Sequence, residues 1–204
     1  MPQEVNREQR ESMKIAFVLY DGVTLLDFAG AYDPLTRVKT MGFVPDLEYC
    51  TCARQERIRS FEGAELVVDA VSPVLSGFDY VIIPGGNTVA NLLRDREFIG
   101  WLVVPPGKTT VAAVCGGALL AGAAGLLTAR RATTHPALME ILKKFAKEVT
   151  NDRVVEDDHV ITAGGVTAAI DMGLYIAEMI AGRDARAAIQ KQMDYPSYPP
   201  GQAR

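Results

Sequence analysis

Between Lys108 and Arg130 the chain runs for twenty-one residues without a formal charge, TTVAAVCGGALLAGAAGLLTA, with one cysteine near the middle. Length and polarity alone would allow a membrane-spanning helix. The internal composition argues against it, because the stretch divides around Gly116-Gly117 into two pieces of different chemistry. Thr109 to Val114 is short and rich in β-branched residues, as a strand buried on both faces should be. Ala118 to Leu127 is built from Ala, Leu and Gly, apart from nothing charged, which suits a helix packed closely against a sheet. Cys115 therefore falls at a strand-to-helix junction. The two glycines permit a sharp turn that raises the cysteine side chain above the C-terminal edge of the sheet, with the thiol facing the first amides of the next helix. Those amides and the helix dipole favour the thiolate, so the thiol pKa is expected to fall from about 8.5 to roughly 3.5–7.5. This placement predicts a nucleophile; the competing reading is a small buried core residue.

A chain of 204 residues, 49% hydrophobic and 23% charged, is enough for one α/β domain with short appendages. The expected organisation is a flexible tail over residues 1–12, then a single domain over 13–204 that ends in a proline-rich tail. The net charge of −4 gives no electrostatic reason to expect nucleic acid or an anionic membrane as partner. The start, MPQEVNREQRESMK, has no apolar core of the kind a secretory signal needs. Three cysteines make no disulfide framework, and the expected compartment is the reducing cytoplasm.

In chain order, Met13 to Tyr20 reads as a first buried strand closed by Asp21-Gly22. A helix follows over 23–41, with Leu25, Leu26, Phe28, Ala29, Tyr32, Leu35 and Val38 giving its apolar stripe and Gly42 closing it. Asp27 lies at the start of this helix. It serves either as an ordinary acidic N-terminal helix residue or as a partner of Cys115, if both strands end at one sheet edge. Asp46 to Ala53 is a second strand with Cys50 and Cys52 on one face; C-x-C with no other ligand nearby is poor evidence for metal. A hairpin-like excursion over 54–68 and a short helical turn after Ser72-Pro73 lead to a third core strand, Phe78 to Ile83.

Pro84-Gly85-Gly86 stops that strand, and glycine there lets backbone amides approach a ligand. The Gly86 and Gly116 amides are expected to form an oxyanion-hole pair beside Cys115. No phosphate-binding glycine motif occurs, so this loop is not read as a phosphate cradle; the cysteine chemistry expected below requires no metal, nucleotide or other cofactor. Val89 to Val104 reads as one helix. Arg131 to Thr134 reads as a strand, with a helix from Pro136 onward. His135, at that strand end, either lines a pocket or packs structurally. His159 falls in a D-D-H hairpin turn facing solvent. Ile161 to Val166 repeats the strand-then-glycine pattern before a helix over 167–181, which makes Gly165 and Val166 a second pocket wall beside Gly85.

Taken together, Asp27 in L-L-D-F-A-G, the P-G-G loop, A-V-C-G-G, R-A-T-T-H and T-A-G-G-V-T-A-A-I-D resemble the ThiJ/PfpI superfamily, the class I glutamine amidotransferase-like fold, over about residues 13 to 200. Within it the chain is most similar to the isocyanide hydratase branch. The resemblance implies a flavodoxin-like three-layer α/β sandwich with a mostly parallel central sheet and a cysteine nucleophile elbow, usually a homodimer. It also implies a nucleophile at Cys115 with a carboxylic partner at Asp27, where many members of the superfamily carry glutamate. Two positions depart from the pattern. Protease-like and glyoxalase-like members carry histidine after the cysteine, and the hydratases threonine there and tryptophan after the later histidine; this chain has Gly116 and Pro136.

The function so implied is cofactor-independent hydration of an isocyanide, or another small electrophile, to an N-formamide through a thioimidate on Cys115, with Asp27 as acid and base. Three alternatives remain: a redox sensor based on oxidation of Cys115, an amidase or glyoxalase-type activity, and a sensory module without turnover.

Overall fold

The computed structural model describes residues 12–196. The expected N-terminal tail, but for Ser12, and the end of the proline-rich tail, residues 197–204, lie outside the described residues. In chain order the first half holds β1 (Lys14–Val18), α1 (Leu25–Thr40), β2 (Glu48–Ala53), β3 (Arg57–Arg59), β4 (Glu65–Val67), β5 (Ala70–Val71) and β6 (Tyr80–Ile83). Then come α2 (Val89–Leu92), α3 (Arg96–Trp101), β7 (Thr110–Val114), α4 (Gly117–Ala123), β8 (Arg131–Ala132) and α5 (Met139–Leu142). The chain continues through β9 (Glu148–Val149), β10 (Val154–Asp157), β11 (Val160–Ala163), α6 (Ala168–Ala181) and α7 (Arg183–Gln192).

The aliphatic runs at β1, β6, β7 and β11 become the centre of a seven-stranded sheet of order β10-β11-β7-β6-β1-β2-β5. Every pairing in it is parallel except β10 with β11. Because side chains alternate across a strand, each central strand feeds two cores. Ile15 and Phe17 of β1, with Ala112 and Val114 of β7, pack against α1, α6 and α7. Ala16 and Val18, with Val111 and Ala113, pack on the other face with α4, Phe98 and Leu102. The result is the mostly parallel three-layer α/β architecture expected.

On the first face α1 and α6 approach to backbone distance. A Cβ on Gly30 would stand 2.8 Å from Ala169 Cβ, and one on Gly173 would stand 2.5 Å from Pro34 Cγ and 3.1 Å from Ala31 Cα. The uncharged 109–129 stretch is divided as predicted into β7 and α4. Among the described residues no helix is long and apolar enough to cross a membrane.

Four local expectations are corrected. The helix expected over 89–104 is two, α2 and α3, because Asp95 caps α3 by accepting from the Glu97 and Phe98 amides at 3.0 Å each. The helix expected to reach Leu127 ends at Ala123, with Gly125 at φ +81°. The strand expected over 131–134 is only Arg131–Ala132, and it pairs with β9 in a separate two-stranded sheet. The helix expected from Pro136 begins as a 3-10 turn, Pro136–Leu138, with α5 after it. The excursion after β2 is a hairpin, β3 antiparallel to β4, as read from the sequence.

Candidate active site

The elbow is built by backbone bonds. Cys115 has φ +55°, a left-handed conformation that costs a non-glycine residue roughly 1 kcal/mol or more. Its amide donates to Ala163 O at 3.0 Å and Gly164 O at 2.9 Å, and its carbonyl accepts from Thr134 Oγ1 at 2.6 Å. Those bonds tie the turn to the end of β11 and to the segment after β8. Behind it, a Cβ on Gly117 would stand 2.1 Å from the carbonyl oxygen of Ile83, so α4 can begin this close to β6 only with glycine there. Gly117→Ala is expected to destabilise the fold by about 3 kcal/mol, since backbone must move, and to lower Tm by roughly 10 °C in a thermal melt.

Asp27 sits in the first turn of α1 with no exposed surface. Its Oδ2 accepts from the Gly85 amide at 2.9 Å. A Cβ on Gly85 would stand 2.6 Å from that oxygen, 2.7 Å from the Gly116 nitrogen and 3.0 Å from Cys115 Cβ. The end of β6, the start of α1 and the cysteine elbow therefore converge on one glycine, and Asp27 and Cys115 are brought together. The carboxyl and the thiol each shift the other's ionisation, while Oδ1 is buried with no hydrogen-bond partner among the described residues.

Burial raises the Asp27 pKa from 3.8 to about 6, opposed by the Gly85 amide and the neighbouring Cys115 thiol, and the nearby Glu62 carboxylate adds to the rise. Glu62, in the β3–β4 turn, accepts from the Leu25 amide at the start of α1 at 3.2 and 3.1 Å. The thiol is where the sequence reading fails. Instead of falling, the Cys115 pKa is pushed up to about 11 by burial and by the charge of Asp27. The Gly116 amide does favour the thiolate, as does that of Val166, but the helix terminus is outweighed. Between about pH 6 and about pH 11 the pair thus holds a single proton and a single negative charge.

The remaining residues separate into those at the pair and those beside it. The amides that favour the thiolate are those of Gly116 and Val166. Gly86 is bridged to Val23 in the loop after β1, and a Cβ on it would stand 2.3 Å from Gly22 O. The His135 ring lies against Gly165, where an added Cβ would stand 2.6 Å from Cδ2, and its Nδ1 accepts from the Ala137 amide at 3.2 Å. It thus caps the turn that follows it and packs against Gly165. Thr134 escaped the sequence reading although it lies in R-A-T-T-H; only the fold shows its hydroxyl reaching the elbow carbonyl. Cys50 and Cys52 lie on β2, and among the described residues no cluster of three or more His, Cys, Asp or Glu is arranged to hold a metal.

The sequence profile of the DJ-1/PfpI family matches residues 13–179. Isonitrile hydratase of Pseudomonas putida is 32% identical over 191 residues, 93% of this chain and 81% of that protein. The glutathione-independent glyoxalase DJ-1 of Schizosaccharomyces pombe is 29% identical over 123 residues, 58% of this chain and 63% of that protein. A solved structure of a ThiJ/PfpI family protein from Pseudomonas syringae superposes with a TM-score of 0.82 at 26% identity, covering 100% of this chain and 85% of that one.

Proposed function

The chain belongs to the DJ-1/PfpI family, and we propose that it is a cofactor-independent cysteine hydratase converting an isocyanide to an N-formamide. The observation that carries the reading is the buried Asp27 carboxyl set against the Cys115 thiol, two acids sharing one proton at neutral pH. Similarity to an isonitrile hydratase supports the substrate class.

An isocyanide carbon accepts a nucleophile and a proton at the same atom, which is what a thiol and carboxyl with one proton between them supply. In the reactive tautomer the proton is on Asp27 and the charge on sulfur, where the Gly116 and Val166 amides hold it. The sulfur lone pair forms the S–C bond while Asp27 gives its proton to the same carbon, leaving a thioimidate, R–N=CH–S–Cys115. Asp27, now a carboxylate, takes a proton from water as the oxygen adds to that carbon and passes that proton on to the nitrogen, ending again as a carboxylate. Collapse of R–NH–CH(OH)–S breaks the C–S bond, forms the formyl C=O and returns the proton to the pair. The sum is R–NC plus water giving R–NHCHO, with neither metal nor redox cofactor in the balance.

Gly116 keeps the elbow close to α2: a Cβ there would meet Val89 Cγ2 at 3.0 Å and Leu138 Cδ1 at 3.6 Å, so a larger residue would crowd Val89. The redox-sensor reading draws on the same thiol and is separated from the hydratase by turnover, since a sensor reacts once with oxidant rather than repeatedly. The glyoxalase reading lacks a histidine next to the cysteine.

The test is steady-state assay of the purified protein with p-nitrophenyl isocyanide, following formamide. Many formamides released per Cys115 are expected. A single stoichiometric adduct, or none, overturns the hydratase reading.

A further inference from the structure

Asp27 is faced by the Gly85 amide from the loop after β6, by Cys115 from the elbow and by Glu62 from the β3–β4 hairpin. One step further back lies a fourth group. Tyr20, two residues past β1, donates its hydroxyl to Pro84 O at 2.7 Å in a buried contact. Pro84 C=O and Gly85 N–H are the two ends of one peptide group, and no cis peptide occurs among the described residues. In a trans peptide these ends point in opposite directions. A continuous line of donors thus runs from the Tyr20 hydroxyl through the Pro84–Gly85 peptide to Asp27 Oδ2, its last step 2.9 Å long.

The phenol is built into this place. Tyr20 is 4% exposed, and its ring meets Phe98 edge-on with centroids 5.6 Å apart. Burial, reinforced by Asp27 and Cys115, holds its pKa well above the ordinary phenol value, so it remains a donor throughout the range in which the pair titrates. Hydrogen bonds in such a chain polarise one another, and a bond accepted by the carbonyl strengthens donation by the N–H of the same peptide.

We propose that Tyr20 is a positioning residue for the Asp27–Cys115 pair, acting through the Pro84–Gly85 peptide group. The proposal rests on the reading of that pair as the reactive centre. Tyr20 strengthens the one backbone bond that favours ionised Asp27, whereas Glu62 pushes the other way by repulsion. Without the hydroxyl, Asp27 holds its proton more tightly, and the loss of the pair's first proton moves to higher pH.

The experiment measures alkylation of Cys115 by iodoacetamide between pH 4.5 and 9 in the full chain, read from the mass of the Cys115 peptide so that Cys50 does not contribute. Wild type is expected to gain reactivity with a limb near pH 6. Tyr20→Phe is expected to move that limb upward by roughly 0.3–0.5 pH units, and Glu62→Gln to move it downward. Site-specific 3-fluorotyrosine at position 20, a stronger donor of nearly the same shape, is expected to shift it opposite to Tyr20→Phe and serves if the phenylalanine variant folds poorly. A Tyr20→Phe or fluorotyrosine limb coincident with wild type, while Glu62→Gln moves it, overturns the proposal. The alkylation readout is independent of isocyanide turnover. Limb shifts without formamide release sustain the positioning role and sink the hydratase reading, and release without limb shifts does the reverse.

Discussion

Alanine substitution of Cys115 is expected to stop formamide release, lowering kcat by on the order of 10⁴-fold or more. The sulfur forms the only covalent bond between protein and substrate in the proposed cycle. Cys52 offers no replacement, being fully buried with a thiol held far above its ordinary pKa. Cys115→Ser is expected to be equally inactive, because a hydroxyl gives up its proton to Asp27 far less readily than a thiol does. The fold should survive. The bonds that hold Cys115 at φ +55° come from its own amide and carbonyl, to Ala163, Gly164 and Thr134, and do not involve the sulfur. Cys115→Ala should therefore melt close to wild type, and Cys115→Gly about 1 kcal/mol more stably, since glycine adopts that conformation without strain. Intact mass after incubation with the aryl isocyanide should show a transient adduct on wild type and none on any of the three variants. Steady turnover by Cys115→Ala would remove Cys115 from the mechanism.

Asp27→Asn is expected to separate activity from stability. Turnover should fall by about 10²–10⁴-fold, because no acid remains to protonate the isocyanide carbon. At pH 8 the variant should nevertheless be more stable than wild type. The folded-state pKa of Asp27, about 6, lies above its ordinary 3.8, so the folded protein binds this proton more tightly than the unfolded chain does. That stabilisation is complete below pH 3.8 and is lost as pH rises through about 6, where a charge must be borne in a buried site. The roughly two-unit difference corresponds to about 3 kcal/mol at most. Asparagine avoids the charge and still offers an oxygen to the Gly85 amide. The expected gain in Tm at pH 8, roughly 5–10 °C, should vanish near pH 4. A variant less stable than wild type at pH 8 would refute the cost assigned to the buried carboxylate. The same pair sets the rate profile of wild type: kcat/KM should rise as pH passes about 6 and level off above it.

Much of the scaffold was legible because its signals are local. The β-branched run at 109–114, the glycines after it and the apolar stripe of 23–41 each name their own element. The split between α2 and α3 was also written locally, in Asp95 followed by Glu97, and it was missed because Leu92, Leu93, Phe98 and Trp101 continue an apolar pattern across the break. The meeting of Asp27 with Cys115 is different in kind. It depends on β1, β6 and β7 lying side by side, an order that no stretch of residues encodes alone. The amides of Gly85 and Val166 carry no side-chain signature either. The error in the thiol pKa has the same root: a helix terminus can be read from spacing, whereas burial beside a carboxylate appears only after packing.

The close seating of α1 on α6 reaches beyond architecture. α1 carries Asp27, and α6 begins two residues after Val166, whose amide faces the sulfur. Through Gly30, Ala31, Pro34, Ala169 and Gly173 the two helices are keyed together with no space for a larger side chain. Laboratory evolution toward new substrates would meet this as a boundary. Libraries at the five keyed positions should yield mostly misfolded protein, and productive variants should concentrate in the β3–β4 hairpin, whose Glu62 reaches the start of α1 without bearing the frame.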